Sequence, residues 1–371
     1  MSEIESGAIV EARRQMEICN ACRYCEGYCA VFPAMTLRRE FAVGDLTHLA
    51  NLCHSCKGCY HACQYAPPHA FGVNIPATFA DIRNESYAEY AWPAPMGRLF
   101  ARNGTVVTAT VVLALTLVLL LTMGLQDPAI LYTAQTGTGA FFRVIPYWLM
   151  TGLATLTFGY AVMAMTIGGV RYWRGTAPGK GQGGKQKPIT PQPVATAAVD
   201  ILTLRNLGGG GHGCNDLDDS FAQTRRWFHQ SMFYGFMLCF AATTTGAFYH
   251  HFLGWKSPHA FLSLPVQFGT WGGVLLCIGT VGLLWVKTVT DPGPVAKRWL
   301  GGEYAMLGLL FLVSITGLLL LVVRHTGAMG VMLAVHLGLV LGLFLILPYS
   351  KMVHGVYRSL ALLRNAQEKR V

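Results

Sequence analysis

A chain of 371 residues in which 12% are charged and 53% apolar is too poor in charge for an ordinary soluble domain, where about 25% is usual. The formal charge of +10 would suit a nucleic-acid binder, but the basic residues crowd the segments between long apolar runs, as membrane orientation requires. Composition thus excludes an average soluble enzyme, gives no reason to expect a nucleic-acid partner, and predicts a membrane protein with soluble parts.

Residues 1–18 read as a short charged helical lead-in, with no apolar core or cleavage site of the kind a signal peptide carries. Two cysteine strings of identical spacing follow. The first is Cys19-x2-Cys22-x2-Cys25-x3-Cys29 and the second Cys53-x2-Cys56-x2-Cys59-x3-Cys63, together eight of the eleven cysteines. A single C-x2-C suits zinc or thiol redox chemistry, but two matched four-cysteine strings predict a pair of [4Fe–4S] clusters. In such runs the fourth cysteine ligates the other cluster. One cluster is then expected on Cys19, Cys22, Cys25 and Cys63, the other on Cys53, Cys56, Cys59 and Cys29. The usual proline after the fourth cysteine is replaced by Ala30 and Gln64. Thiols that must stay reduced also favour a cytoplasmic face. The spacer between the strings contains LRREFA and DLTHLANL, helical rather than alternating patterns, which predicts a helical ferredoxin-like domain over 1–70. Residues 71–104 read as a connector along the membrane surface.

Six apolar runs follow, near 105–125, 147–169, 230–253, 265–286, 304–323 and 331–349, none containing Asp, Glu, Lys or Arg. A helix of 21 residues spans about 31 Å, enough for the hydrocarbon layer. The expected fold is therefore all-α: the cluster domain, then a six-helix transmembrane bundle of cytochrome b type, with spans one and two in 105–170 and spans three to six in 227–371. The segment 171–226 carries Arg171, Arg174, Lys180, Lys185, Lys187, Arg205, Arg225 and Arg226. The next loop on that side carries Lys287, Lys297 and Arg298, and the tail carries Lys351, Arg358, Arg364, Lys369 and Arg370. The opposite loops hold little beyond Arg143, Lys256 and Arg324. Positive loops stay inside, so the cluster domain, middle loop and tail are expected on the cytoplasmic side of a bacterial inner membrane. Within the middle loop, 175–193 reads as a Gly/Pro/Lys linker. The GGGG run beside His212 and Cys214 lacks the GK[ST] ending of a phosphate loop; a tight turn against the cluster domain is expected there, a metal role for that pair being the lesser reading.

Histidines are the titratable groups at membrane depth, where such groups mark function by default. His325 reads as an interfacial residue, and Cys239 and Cys277 as small hydrophobes. His336 and His354 lie 18 residues apart, five turns and about 27 Å on one helical face. On the antiparallel third span, His250 and His251 lie 21 and 22 residues beyond His229, within about 60° and 40° of its face. His229 is expected to meet His354, and His250 or His251 to meet His336. Facing histidines are what a b-type haem needs as axial ligands. Two haems are expected, with one haem, through His229 and His354, or none left open. Pro348 lies between His336 and His354 and softens the angular argument.

The stretch HLGLVLGLFLILPYSKMVH (336–354) resembles the last haem-binding helix of respiratory nitrate reductase γ subunits, whose terminal histidines ligate haem. The whole order of parts, including LRNLGGGGHGCN ahead of RRWFHQSMFYGFMLCFAATTTGAFYH, resembles the tricarballylate/citrate utilisation protein B family. That resemblance implies a protein that re-oxidises the reduced FAD of a partner dehydrogenase, one converting tricarballylate to cis-aconitate, and passes the electrons to the membrane. With no flavin or nicotinamide fingerprint and no nucleophile–base set, the chain is expected to carry electrons from that flavoprotein through clusters and haem to a membrane quinone. No catalytic residue of its own is expected. A cluster protein on a haem-free anchor, or a tricarboxylate transporter with a cluster domain, are the competing readings.

Overall fold

The computed structural model describes residues 5–101, 104–177, 188–216 and 218–369. Lys180, Lys185, Lys187 and Arg370, and most of the linker expected at 175–193, lie outside the described residues. No strand forms among the described residues; an isolated bridge pairs Cys214 with Ala222.

The helices follow in order. The N-terminal part contains α1 (Gly7–Cys22), α2 (Val31–Met35), α3 (Val43–Leu52), α4 (Gly58–His61), α5 (Ile75–Tyr90) and α6 (Ala94–Phe100). Ser6 caps α1 by accepting from the Ile9 N–H, and Asn74 caps α5 by accepting from Ala77, with Pro76 in the first turn. Both are preferred helix starts. Met16, Phe32, Met35, Leu46, Leu49, Phe79 and Ile82 close a common core. The segment read as a surface connector therefore contributes α5 to this core, because Phe79, Ile82 and Tyr87 fall on one buried face.

The membrane part contains α7 (Gly104–Leu125), the short α8 (Pro128–Leu131) and α9 (Ala140–Val144), and α10 (Tyr147–Gly175). Then come α11 (Pro191–Leu202), α12 (Thr224–Leu253), α13 (Leu264–Val289), α14 (Leu300–Val323), α15 (Met329–Ile346) and α16 (His354–Glu368). Among the described residues, α7, α10, α12, α13, α14 and α15 are the six helices long and apolar enough to cross a membrane, so the chain is a multi-pass membrane protein. α12 and α13 pack closest: a Cβ on Gly235 would come within 2.8 Å of the Gly272 carbonyl. Such small-residue contacts substitute for the missing hydrophobic drive between helices in lipid.

Two features depart from a straight reading of the sequence. The run through 336–354 is not one helix. Pro348 interrupts it: α15 ends at Ile346, a short 3-10 turn spans Lys351–Val353, and α16 begins at His354. Proline lacks the N–H and clashes with the preceding turn, so the helix breaks there. The tail also does not stand apart. Tyr357, Ala361 and Leu362 of α16 enter the core of the cysteine-rich N-terminal domain beside Tyr172 of α10. Arg38 bonds Asp45 at 2.8 Å and Glu368 at 2.9 Å, tying that domain to the end of the chain.

Candidate redox site

The chain turns sharply inside each cysteine string. Arg23, Ser55 and Lys57 have φ of 55°, 53° and 64°, the left-handed region that side chains ordinarily avoid. Such strain collects at functional sites; here it lets consecutive thiols point inward instead of along a helix. The eight thiols divide into two hollows. Cys19, Cys22, Cys25 and Cys63 line one, and Cys29, Cys53, Cys56 and Cys59 line the other. The fourth cysteine of each string thus joins the first three of the other. Phe32 lines both hollows and stands between them.

Burial, with Cys63 and the other thiols of its set next, pushes the Cys19 and Cys25 thiols up to about 12. Burial drives Cys29 and Cys59 well above the ordinary thiol value. Four half-buried thiols that resist ionisation suit a polycationic group, since a coordinated thiol is deprotonated outright. The donors also fit in detail. N–H groups of Ser55 and Tyr65 approach Cys53 Sγ and Cys63 Sγ at 3.4 Å, and the Gln64 amide approaches Cys22 Sγ at 3.9 Å. Hydrogen bonds to sulfur tune cluster potentials. Among the described residues no three His, Cys, Asp or Glu close on a single metal ion. The thiols instead surround two separate spaces.

The glycine run covers the second hollow. A Cβ on Gly210 would come within 2.7 Å of the Gly27 carbonyl and 2.9 Å of that of Tyr28; one on Gly209, whose φ is +59°, would come within 3.6 Å of Cys56 Sγ. The Asn215 N–H donates to the Cys56 carbonyl at 2.9 Å. Cys214 is buried and donates to the Leu207 carbonyl, and the exposed His212 lies against Phe221. That loop is a lid on the cysteines, as expected of a tight turn, and Cys214 packs rather than ligates.

Three arginines hold the 53–55 loop: Arg225 and Arg358, which read only as orientation signals, and Arg83, in the segment read as a connector. Arg83 donates to the carbonyls of Ala50 and Cys53, Arg358 to that of Cys53 at 2.9 Å, and Arg225 to those of Ser55 and His54. Nothing in the basic loops singled out Arg225 or Arg358, because positive charge there already had a topological explanation.

Arg225 sits four residues before His229 on α12, and Arg358 four residues after His354 on α16. Each pair therefore lies on one helical face, about 6 Å apart along the axis. The two histidine rings face each other with centres 6.2 Å apart and planes at 87°. Imidazole–metal bonds are about 2 Å long, so two imidazoles on opposite sides of one iron would hold their ring centres roughly 6 Å apart. His354 Nδ1 is bonded to the Lys351 carbonyl at 2.5 Å, which makes Nδ1 the N–H and leaves Nε2 as a ligand atom. Burial, then Arg358, holds His354 well below the ordinary histidine value, in the neutral form that binds metal. His229 Nδ1 is buried without a partner.

The deeper histidines are not brought together. His250 stacks on Tyr147 with ring centres 4.1 Å apart, and His251 Nε2 lies 2.7 Å from the Tyr147 hydroxyl. His336 bonds Thr316 instead. His250 and His251 occupy the last turn of α12, whereas His336 lies seven residues, about 10 Å, inside α15. Equal face did not mean equal depth. His325 bonds its neighbour Arg324.

A family model described as citrate utilization protein B matches residues 102–371, and one described as the citrate utilization protein B Fer4-like domain matches residues 12–89. Over 363 residues the chain is 46% identical to citrate utilization protein B of Escherichia coli, covering 97% of this chain and 92% of that one. No solved structure matches.

Proposed function

The chain belongs to the citrate utilization protein B family, and from that premise we propose that it is a membrane electron-transfer protein. It accepts electrons from the reduced FAD of a separate dehydrogenase acting on tricarballylate, and delivers them to a quinone in the bilayer. The observation that carries this reading is one of placement: two hollows of four cysteines and a facing histidine pair succeed one another, joined by Arg225 and Arg358.

Cys19, Cys22, Cys25 and Cys63 would hold one [4Fe–4S] cluster, Cys29, Cys53, Cys56 and Cys59 the second, and His229 with His354 a b-type haem. When bound, these groups supply one-electron chemistry. The chain's own residues do the rest. Phe32 keeps the two cysteine sets apart without polar contact. Gly209 and Gly210 bring backbone over the second set and exclude water. Arg83, Arg225 and Arg358 clamp the carbonyls of the 53–55 loop, and their charge favours added negative charge nearby. The Lys351 carbonyl keeps the proton of His354 on Nδ1. Tyr24, 67% exposed beside the first hollow, marks the face where the flavoprotein docks. The basic loops support a cytoplasmic side for this face and for the C-terminus.

Iron, sulfide and haem content per chain tests the proposal on anaerobically purified protein. About eight non-haem iron, eight sulfide and one haem are expected. His354→Ala should abolish the b-type absorption bands while leaving the sulfide unchanged. Unaltered bands in that variant would refute the ligand assignment, and a colourless, iron-free wild type would refute the function.

A further inference from the structure

A cavity of about 590 Å³ opens inside the bundle, away from the eight cysteines of the two strings. Five spans wall it, through Phe158 of α10, Phe236 of α12, Leu276 of α13, Val313 of α14 and Phe344 of α15. Its size and apolar lining are those of a small-molecule site. Phe240, half-exposed near the middle of α12, also lines it, so the cavity opens at the depth of the hydrocarbon layer. Phe236 lies seven residues, about 10 Å, along α12 from His229. The cavity therefore begins where the line of candidate redox groups ends.

One polar group inside it has a defined proton. His336 Nδ1 lies 3.1 Å from Thr316 Oγ1, while that hydroxyl also bonds the Leu312 carbonyl at 2.6 Å. A carbonyl only accepts, so the threonine proton goes to Leu312 and the oxygen accepts from His336 Nδ1–H. In the neutral ring the free lone pair is then on Nε2, and that ring lines the cavity. Gly317 makes the room: a Cβ there would come within 3.0 Å of His336 Cε1. Among the described residues no histidine ring stands against His336 as His229 stands against His354; the other cavity histidine, His259, lies at the mouth against Tyr249 and Ser257. An acceptor nitrogen in an apolar chamber open to lipid suits a hydroxyl-bearing aromatic ring with a lipid-soluble tail.

We infer that this cavity is the quinone site and that His336 Nε2 accepts the hydroxyl hydrogen bond of the hydroquinone. The quinone headgroup takes up two electrons, supplied through this chain by the reduced flavoprotein, and two protons from water at the Ser257–His259 mouth, and leaves as hydroquinone. Because Nε2 accepts and does not donate in this tautomer, the site favours the reduced product and draws the transfer forward. This assignment rests on the electron-transfer reading for the direction of flow, but its binding test does not.

Binding of the short-chain probe decylubiquinol to the anaerobically purified full chain, followed by quenching of tryptophan fluorescence, tests the inference alongside haem content. Saturable quenching is expected for the wild type, at least tenfold weaker binding for His336→Gln, and loss of binding for Gly269→Leu, which fills the cavity without touching a histidine. Haem per chain should be the same in all three. Equal binding in the variants would overturn the assignment. So would loss of haem in His336→Gln, which would make His336 a haem ligand. A wild type that binds decylubiquinol but lacks haem and iron would sink the electron-transfer reading and leave the cavity assignment standing.

Discussion

Arg225 illustrates how single side chains set the chemistry here. It donates to the Ser55 and His54 carbonyls and lies 4.0 Å from Asp216. Its guanidinium sits beside the second cysteine set, together with Arg83 and Arg358, where positive charge would stabilise a reduced cluster of the proposed kind. Arg225→Gln should lower the potential of that cluster by on the order of tens of mV, read by redox titration with electron paramagnetic resonance, while the other cluster stays unchanged. Equal shifts in both signals would show that the arginine acts on the fold and not on one site. The buried histidines act through acid. Burial holds His48, His54 and His354 well below the ordinary value. Their folded forms stay neutral while the unfolded chain takes up protons, so stability present above about pH 6.5 is lost as pH falls through and below that value. Thermal unfolding scans between pH 8 and pH 5 should show the midpoint falling only below about pH 6.5.

At the scale of elements, the break at Pro348 matters most. A continuous helix would have run out of the bilayer along the axis of α15. The 3-10 turn at Lys351–Val353, capped by Ser350 accepting from the Met352 N–H, re-aims the chain so that α16 can enter the cluster domain and present His354 to His229. The basic residue Lys351 also pairs with Glu303 at 2.7 Å, while Lys287 bonds the other oxygen of that carboxylate. Two cations on one acid anchor the ends of α13, α14 and α15 to each other. The glycine loop is the second decisive element. Gly210→Val would force a side chain into the Gly27 and Tyr28 carbonyls, at a cost of about 1–3 kcal/mol, and lift the lid from the second hollow. The second cluster signal should then bleach several-fold faster in air than in the wild type. A valine variant as oxygen-stable as the wild type would remove the lid from the account.

At the scale of the molecule, the cluster domain is not self-sufficient. Its core takes Tyr357, Ala361 and Leu362 from α16, Ala197 from α11 and Tyr172 from α10, and its second hollow is closed by the middle loop and two arginines from beyond the first spans. A fragment of residues 1–90 should therefore keep the first cluster better than the second, and fold less stably than the same residues in the whole chain. Iron and sulfide near half the full-length content would match this expectation; full content of both clusters would contradict it. The coupling has a functional sense. Locking the soluble part onto α12 and α16 holds the second cysteine set and the facing histidines at a constant separation, which a flexible tether would not do.

The residues of the cysteine strings and the six apolar spans were legible from the chain alone, because ligand spacing and hydrophobic length are local properties. The crossed division of the thiols was legible for the same reason. The meeting of His229 with His354 could be anticipated from helical geometry, since both lie near the same end of their spans. The remainder was settled by packing. The failure of His250 and His251 to reach His336 came from unequal helix depths that no periodicity records. The roles of Arg225 and Arg358 were hidden because a positive charge in a loop between spans looks the same whether it orients a span or grips a carbonyl, and Arg83 carried no signal at all inside the segment read as a connector. The tail became part of the core through a proline break whose direction depends on neighbours distant in sequence. Short-range chemistry belongs to the sequence; which distant groups share one space belongs to the tertiary structure, because it depends on how helices of different lengths and tilts fill a volume together.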